Sequence, residues 1–518
     1  MYVLKKTNIG GLIGSVMIIM IASRLLSLLS SQIYMTTFGT ESIYINIYSY
    51  AINIPNIIFT SIGTALSTVV IPIYVGHRAV GELDKAKKFA DNIITVSTVL
   101  TLILVILGIC LSPLLVGFTD FAKTEASRSF AVKSLMIVMP VMFFYAWNYI
   151  FQGMLQAAGK FWLPAFVSVP SSLIVIAYVV FLSDRFGVTG LLFATIIGLS
   201  LQAFILVPPL VKDGYRYRPC FRLGDPDIKK AGSMTVPVLI GVGAYQLNML
   251  FNSTMIAKYD AGMVTILTFV QNISIQLVLA FVYSITAVVY PKLSESAAKN
   301  DMNEYKQTLS GILKSVSALL IPITFGFISV RRPLLQFLAA WGKVTPEAVS
   351  KAEVFLSLYA IGLIGIGLKE ILDRALYSVK NTRISAVNGF VIMAVNIVVS
   401  LSLMPFIGAY GIPLAYSAAS IVGLCNLLWQ LKRKVGSFAT GMGKEIVKSI
   451  VCAALMAVAV GGVNAFLDSQ NFADSFGVRV IVLIVPAFVG VCVYAVLGYI
   501  LKIEAVRQYA DKLRAKIH

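Results

Sequence analysis

The chain has 518 residues, of which 58% are hydrophobic and 13% charged, and a formal net charge of +19. Soluble domains carry about 25% charged residues, so this composition, with a mean hydropathy of +0.87, excludes an ordinary water-soluble protein. It is that of an all-α polytopic membrane protein, and the positive charge is tested first as a sidedness signal rather than as a footprint for nucleic acid.

Fourteen apolar runs follow in order: 8–35, 43–75, 90–117, 131–157, 161–183, 187–211, 233–257, 262–291, 308–330, 352–378, 384–405, 408–431, 445–467 and 477–501. Each approaches or exceeds the roughly 20 residues a helix needs to cross the hydrocarbon core. The first lacks a small-residue cleavage site and reads as a membrane helix rather than a removed signal peptide. With an even number of spans, both termini share a side. Placing them in the cytoplasm puts 28 Lys and Arg in or beside the inner segments and 10 in or beside the outer ones, the asymmetry that orients membrane proteins. The tail from Arg507 to Lys516 alternates basic residues with Tyr509 and Leu513, as a short surface helix would.

A repeat runs through the first twelve spans. Val69-Val70-Ile71-Pro72 ends span 2 and Val288-Val289-Tyr290-Pro291 ends span 8, each followed by a charged stretch. Gly187-Val188-Thr189-Gly190 likewise matches Gly408-Ala409-Tyr410-Gly411. The offsets, 219 and 221 residues, agree, and six spans separate the partners, so the halves are parallel. The expected organisation is an N-lobe at 1–211, a cytoplasmic linker at 212–232, a C-lobe at 233–433, two extra spans at 434–502 and a basic tail at 503–518. Pro55, Pro72, Pro140, Pro237, Pro291 and Pro322 interrupt apolar runs and are candidate kinks.

Catalytic signals are missing. The two histidines, His77 and His518, are far apart in the chain; the five cysteines form neither a CxxC nor a Cys/His cluster; no P-loop, HExxH or GxSxG occurs. This points to a transporter rather than an enzyme. Arg24 is the only charge between Asn8 and Val75. A guanidinium at that depth costs about 2.5–3.5 kcal/mol on insertion scales, so it needs a wet cavity or a partner. Its planar fork suits phosphate oxygens. With Ser23, Asn46 and Asn53 in spans 1 and 2, and Gln271 and Asn272 in span 8, it forms the candidate substrate-binding set. The plainer explanation for the serines is helix packing, at roughly 0.6 kcal/mol per interhelical bond. Lys369, Glu370, Asp373 and Arg374 read as a paired network anchoring span 10 rather than as a gate.

Several ordered segments resemble the lipid II flippase MurJ family of the multidrug/oligosaccharidyl-lipid/polysaccharide exporter superfamily. They are Ser23-Arg24, Phe38-Gly39, Ile54-Pro55-Asn56, Gly63 to Ser67, Gly214-Tyr215-Arg216-Tyr217-Arg218-Pro219, Pro291 to Ser294 and Arg374 to Arg383. The resemblance implies two lobes around a cationic cavity, with spans 13 and 14 forming a groove for a lipid tail. It implies export of an undecaprenyl-linked peptidoglycan precursor, lipid II, across the bacterial plasma membrane. It places Arg24 at the family's first essential arginine. Ser30, Asn46 and Gln271-Asn272 stand where the family pattern has charges. The expected partners are lipid II, membrane lipids and cell-wall synthesis proteins, with no nucleic acid. No cofactor is expected. Coupling to Na+ or to the membrane potential stays open, and Asn252, Asn388 and Asn396 are oxygen donors a sodium ion would accept. The alternatives are a flippase for another polyprenyl-linked polysaccharide or teichoic precursor, and a drug/cation antiporter of the same fold. The antiporter would want a membrane-embedded carboxylate, which spans 1–8 lack.

Overall fold

The computed structural model describes residues 9–507 apart from 80, 159, 161, 277, 280, 283–284, 286–292, 294–295, 298, 300, 380, 439–440 and 471–474. The described residues form helices joined by loops, with no strand among them, and nine of these helices are long and apolar enough to cross a membrane. The chain divides into two compact units, residues 1–265 and 266–518.

Unit 1 begins with α1 (Ile9–Phe38), α2 (Ile43–Ala79) and α3 (Leu83–Gly117). Helix α2 outlasts its apolar run through His77 and Arg78, and α3 starts ahead of its run with Asp84, Lys85, Lys87 and Lys88. The fourth run breaks at Met139-Pro140 into α4 (Glu125–Val138) and α5 (Val141–Ala157), as a proline without an N–H dictates. Helix continues through Pro55, Pro72, Pro237 and Pro322, so of the candidate kinks only Pro140 marks a break; Pro291 lies outside the described residues. Next come α6 (Trp162–Phe166), α7 (Val169–Phe181), α8 (Ser183–Phe204), α9 (Val207–Lys212) and α10 (Pro226–Tyr259). The core of the unit joins Ile45 and Tyr48 of α2 to Val138, Val141, Val175, Tyr178 and Leu191.

The repeat places α10 at the start of the second half, yet α10 packs along α2 within unit 1. Compactness and sequence repetition therefore divide the chain at different points. Before α10 the linker crosses α3 as a strap. The Tyr215 hydroxyl donates to Asp91 Oδ1 at 2.8 Å, and Asn92 pairs with Arg222 through both its amide atoms at 2.9 Å.

Unit 2 contains most of α11 (Val264–Gln271), then α12 (Met302–Ser329), α13 (Arg331–Leu338), α14 (Pro346–Ser378), α15 (Thr382–Ile407), α16 (Gly411–Val435), α17 (Met442–Ser469) and α18 (Phe476–Ile500). The helix α13 lies in a stretch that hydropathy reads as loop. Gly362 and Gly365 let α14 press on α16: a Cβ on Gly365 would stand 2.7 Å from the Ser420 carbonyl carbon. Small residues allow such close approach in membrane helices. Helices α17 and α18 pack on α12 through Ala318, Ile321, Ala453, Met456 and Tyr494.

The repeat has a conformational counterpart. Gly187 has φ 55° and ψ −148° within α8, and Gly408 has φ 59° and ψ −140° between α15 and α16. Both values lie in a region L side chains rarely adopt, so the same glycine-dependent bend stands at matching places in the two halves.

Candidate functional site

Helix α1 separates the sequence-predicted residues by their angle around its axis. Ser23 is 3% exposed, and its hydroxyl lies 2.7 Å from the Ile19 carbonyl and 3.1 Å from that of Ala165. Ser27 Oγ stands 3.2 Å from Ser172 Oγ on α7. The serine face thus packs α1 against α6 and α7. Arg24 follows Ser23 by about 100° around the helix and is exposed. With lipid contact disfavoured by the cost of a membrane-depth guanidinium, this exposure is what a water-lined surface of unit 1 requires.

Tyr149 on α5 connects Arg24 to polar groups of α2. Asn53, Asn56 and Thr60 follow one another on α2 at spacings of three and four, which places them on one face; Asn56 is exposed and the other two are half-buried. Thr60 Oγ1 donates to the Asn56 carbonyl at 2.7 Å and lies 3.1 Å from Asn56 Oδ1. The Tyr149 side chain on α5 hydrogen-bonds Thr60 and interacts electrostatically with Arg24. Its ring lies over Gly63, where a Cβ would come within 2.1 Å of a ring carbon. Gly63 therefore makes room for the tyrosine that links Arg24 to the polar stripe of α2. Sequence reasoning missed Thr60 and Tyr149. An aromatic run such as Phe143 to Phe151 reads as packing until a charge is found beside it.

Asn46 has a different place. It is fully buried; its amide nitrogen donates to the carbonyls of Thr40 at 2.6 Å and Ser42 at 2.9 Å, and Oδ1 accepts from the Thr265 N–H at 2.8 Å. Ser49 and Thr265 join hydroxyls at 2.8 Å beside it. A side chain with no exposed surface and three short bonds has nothing left for a ligand. Ser23 and Asn46 are therefore scaffold residues in this structure, and Arg24 and Asn53 remain on the open side of the set.

In unit 2, Gln271 ends α11 and donates to the Tyr359 hydroxyl at 2.7 Å. Asn272 opens a single π-helical turn, Asn272–Gln276, a local irregularity that often accompanies functional positions. Both are half-buried. Of the three asparagines considered for sodium, Asn252 belongs to unit 1, while Asn388 and Asn396 are fully buried on α15. Asn388 Oδ1 accepts from Asn426 Nδ2 at 2.8 Å. No three His, Cys, Asp or Glu side chains converge on a metal position among the described residues. Near the end of α14, Lys369 pairs with Asp373 at 2.6 Å and Arg374 with Glu370 at 3.2 Å; Ser385 of α15 donates to Asp373. That network ties α14 to α15.

The chain is similar to known proteins. A Vibrio cholerae protein named probable lipid II flippase MurJ is 25% identical over 435 residues, covering 82% of each chain. One of the same name from Rickettsia prowazekii is 25% identical over 497 residues, covering 93% of this chain and 95% of its own. The solved structure of lipid II flippase MurJ in an inward closed conformation superposes with a TM-score of 0.78 at 22% identity, covering 93% of this chain and 97% of its own. An inward-facing multidrug resistance MATE family transporter superposes at 0.65 and 14% identity, covering 80% and 98%. At these identities the two structures establish the fold alone. The family model described as lipid II flippase MurJ matches residues 34–485, and on that match the chain belongs to the lipid II flippase MurJ family.

Proposed function

We propose that this chain moves lipid II, the undecaprenyl-pyrophosphate-linked peptidoglycan precursor, from the inner to the outer leaflet by alternating access. The protein is a membrane transporter and not an enzyme. The observation that carries the reading is the family match across 34–485. The exposed Arg24, linked electrostatically to Tyr149 and through it to Thr60 and Asn56, supports it with chemistry suited to a pyrophosphate bearing sugars. The guanidinium engages two phosphate oxygens, and the amides and hydroxyls hydrogen-bond sugar. In the same reading both termini are cytoplasmic, and transport draws on Na+ or on the membrane potential; exchanging Na+ for K+ in proteoliposomes tests that coupling.

Complementation of a strain depleted of its own lipid II flippase is the direct test. Wild type should restore growth. Arg24→Ala should not, because a charge-assisted contact contributes about 1.5–3 kcal/mol, roughly one to two decades in affinity. Arg24→Lys should restore growth only in part, since an ammonium lacks the planar fork. Ser27→Ala should complement. Normal growth with Arg24→Ala at unchanged abundance would make Arg24 a structural residue. A second reading, export of another polyprenyl-linked glycan, is favoured by the uncharged Ser30, Asn46 and Gln271-Asn272. Failure of the well-expressed wild type to complement would select it.

A further inference from the structure

A cavity of about 650 Å³ opens in unit 2 where α12 and α17 end and α14 and α18 begin, and a second of about 420 Å³ shares Arg332, Pro333, Gln336, Glu353, Asp468 and Val482 with it. Helix α13 forms one wall. Arg479 fixes that wall: its guanidinium donates to the carbonyls of Gln336 and Ala340 and lies 4.0 Å from the centre of the Trp341 ring. None of these residues belongs to the Arg24 set.

The lining is ordered by polarity. Arg331 and Arg332 supply N–H donors at the rim. Arg332 is loosely held: its ion pair to Asp468 measures 4.0 Å, and both side chains are more than half exposed. Two acceptors line the same space, the carboxylates of Glu353 and Asp468. Asn464 donates to the Ser329 carbonyl at 2.9 Å and ties α17 to the end of α12 beside them. Below the rim the lining turns apolar. Asp468, Asn464, Gly461 and Ala457 line one face of α17 over eleven residues, about 16 Å at 1.5 Å per residue, with Val482 of α18 beside them. A Cβ on Gly461 would meet nothing within 4 Å, so the apolar end is open.

We infer that this cavity binds a phospholipid whose headgroup carries both a phosphate and a primary amine. The phosphate sits on Arg332 and Arg331; the ammonium sits between Glu353 and Asp468; an acyl chain runs along Gly461 and Ala457. Free phosphate would leave two carboxylates unmatched and the apolar end uncovered. A purely anionic lipid would set its charge against two carboxylates. In the orientation proposed above, this is the extracytoplasmic end of the unit, at headgroup depth.

The test is lipid retention by the purified full-length protein. The protein is washed in detergent containing equal amounts of phosphatidylethanolamine, phosphatidylcholine and phosphatidylglycerol, and bound lipid is quantified by mass spectrometry. Wild type should retain phosphatidylethanolamine at about one per chain, at least fivefold over the other two. Glu353→Gln and Arg332→Gln should each reduce that retention at least fivefold. Gly461→Leu, which fills open space and leaves the packing of the helix intact, should do the same with an unchanged melting temperature. Equal retention of the three lipids overturns the inference, as does unchanged retention in Glu353→Gln and Gly461→Leu. Full competition by soluble phosphoethanolamine at equal concentration would overturn the acyl-chain part. Displacement by an equal amount of polyprenyl phosphate would reassign the cavity to the transported class of lipid.

Discussion

Arg24 acts through its neighbours as well as its charge. Tyr149 interacts with it and is bonded to Thr60, so Tyr149→Phe should leave abundance unchanged and lower transport about tenfold, equivalent to about 1.4 kcal/mol. Proteoliposome flipping assays normalised to reconstituted protein would read this; an unchanged rate would separate Tyr149 from the site. Asn46 should behave in the opposite way. Asn46→Ala leaves the buried Thr265 N–H and the Thr40 carbonyl unmatched, at about 1–3 kcal/mol, so the melting temperature should fall while transport per folded molecule holds. His77 offers a pH dependence. Its Nε2 lies 2.7 Å from Asp227 and its Nδ1 3.2 Å from Glu82, joining the end of α2 to the start of α10. The Asp227 bond, aided by Glu82 against a smaller desolvation, raises the imidazole above its usual value of 6.5. Protonated His77 therefore stabilises the fold fully below about pH 6.5, and the contribution is lost as pH rises through the raised folded value. Melting curves of wild type and His77→Gln should converge toward alkaline pH and separate below it.

At the scale of elements, close helix contact and open helix surface respond differently to the same change. Gly365→Ala drives a Cβ to 2.7 Å from the backbone of Ser420, and overpacking of that kind costs about 1–3 kcal/mol. Gly326→Ala on α12 meets nothing within 4 Å and should be neutral or slightly stabilising. Thermal unfolding of the two variants in one detergent distinguishes them. The glycines at 187 and 408 carry the same bend in the two halves, so alanine at either should destabilise by a similar amount, about 1 kcal/mol.

For the whole molecule, the decisive observable is sidedness. The excess of Lys and Arg predicts that Lys88 is cytoplasmic and Lys343 extracytoplasmic; both are exposed. On a cysteine-free background, Lys343→Cys should react with an impermeant maleimide in intact cells, and Lys88→Cys only after permeabilisation. The reverse pattern would invert the topology, and with it the leaflet in which the cavity beside α13 meets lipid.

Sequence by itself determined the membrane class, the fourteen apolar runs, the repeat and the isolation of Arg24 as the only charge between Asn8 and Val75. These rest on hydropathy, charge and spacing, which one chain displays without its partners. Gly187 and Gly408 show the limit: their match is legible in sequence, whereas their positive φ is not, since glycine permits that conformation without requiring it. Tertiary structure alone decided which polar residues of the spans are scaffold and which are open. Ser23 and Arg24 are neighbours in sequence, yet the first is buried against α6 and the second is exposed. Asn46 and Asn56 are the same amide on the same helix, yet only Asn46 meets three backbone partners. Hydropathy scores a residue by type, whereas burial depends on which helix packs against which face. The polar cavity at the end of unit 2 was hidden for the same reason: its lining comes from α12, α13, α14, α17 and α18, brought to one place only by packing.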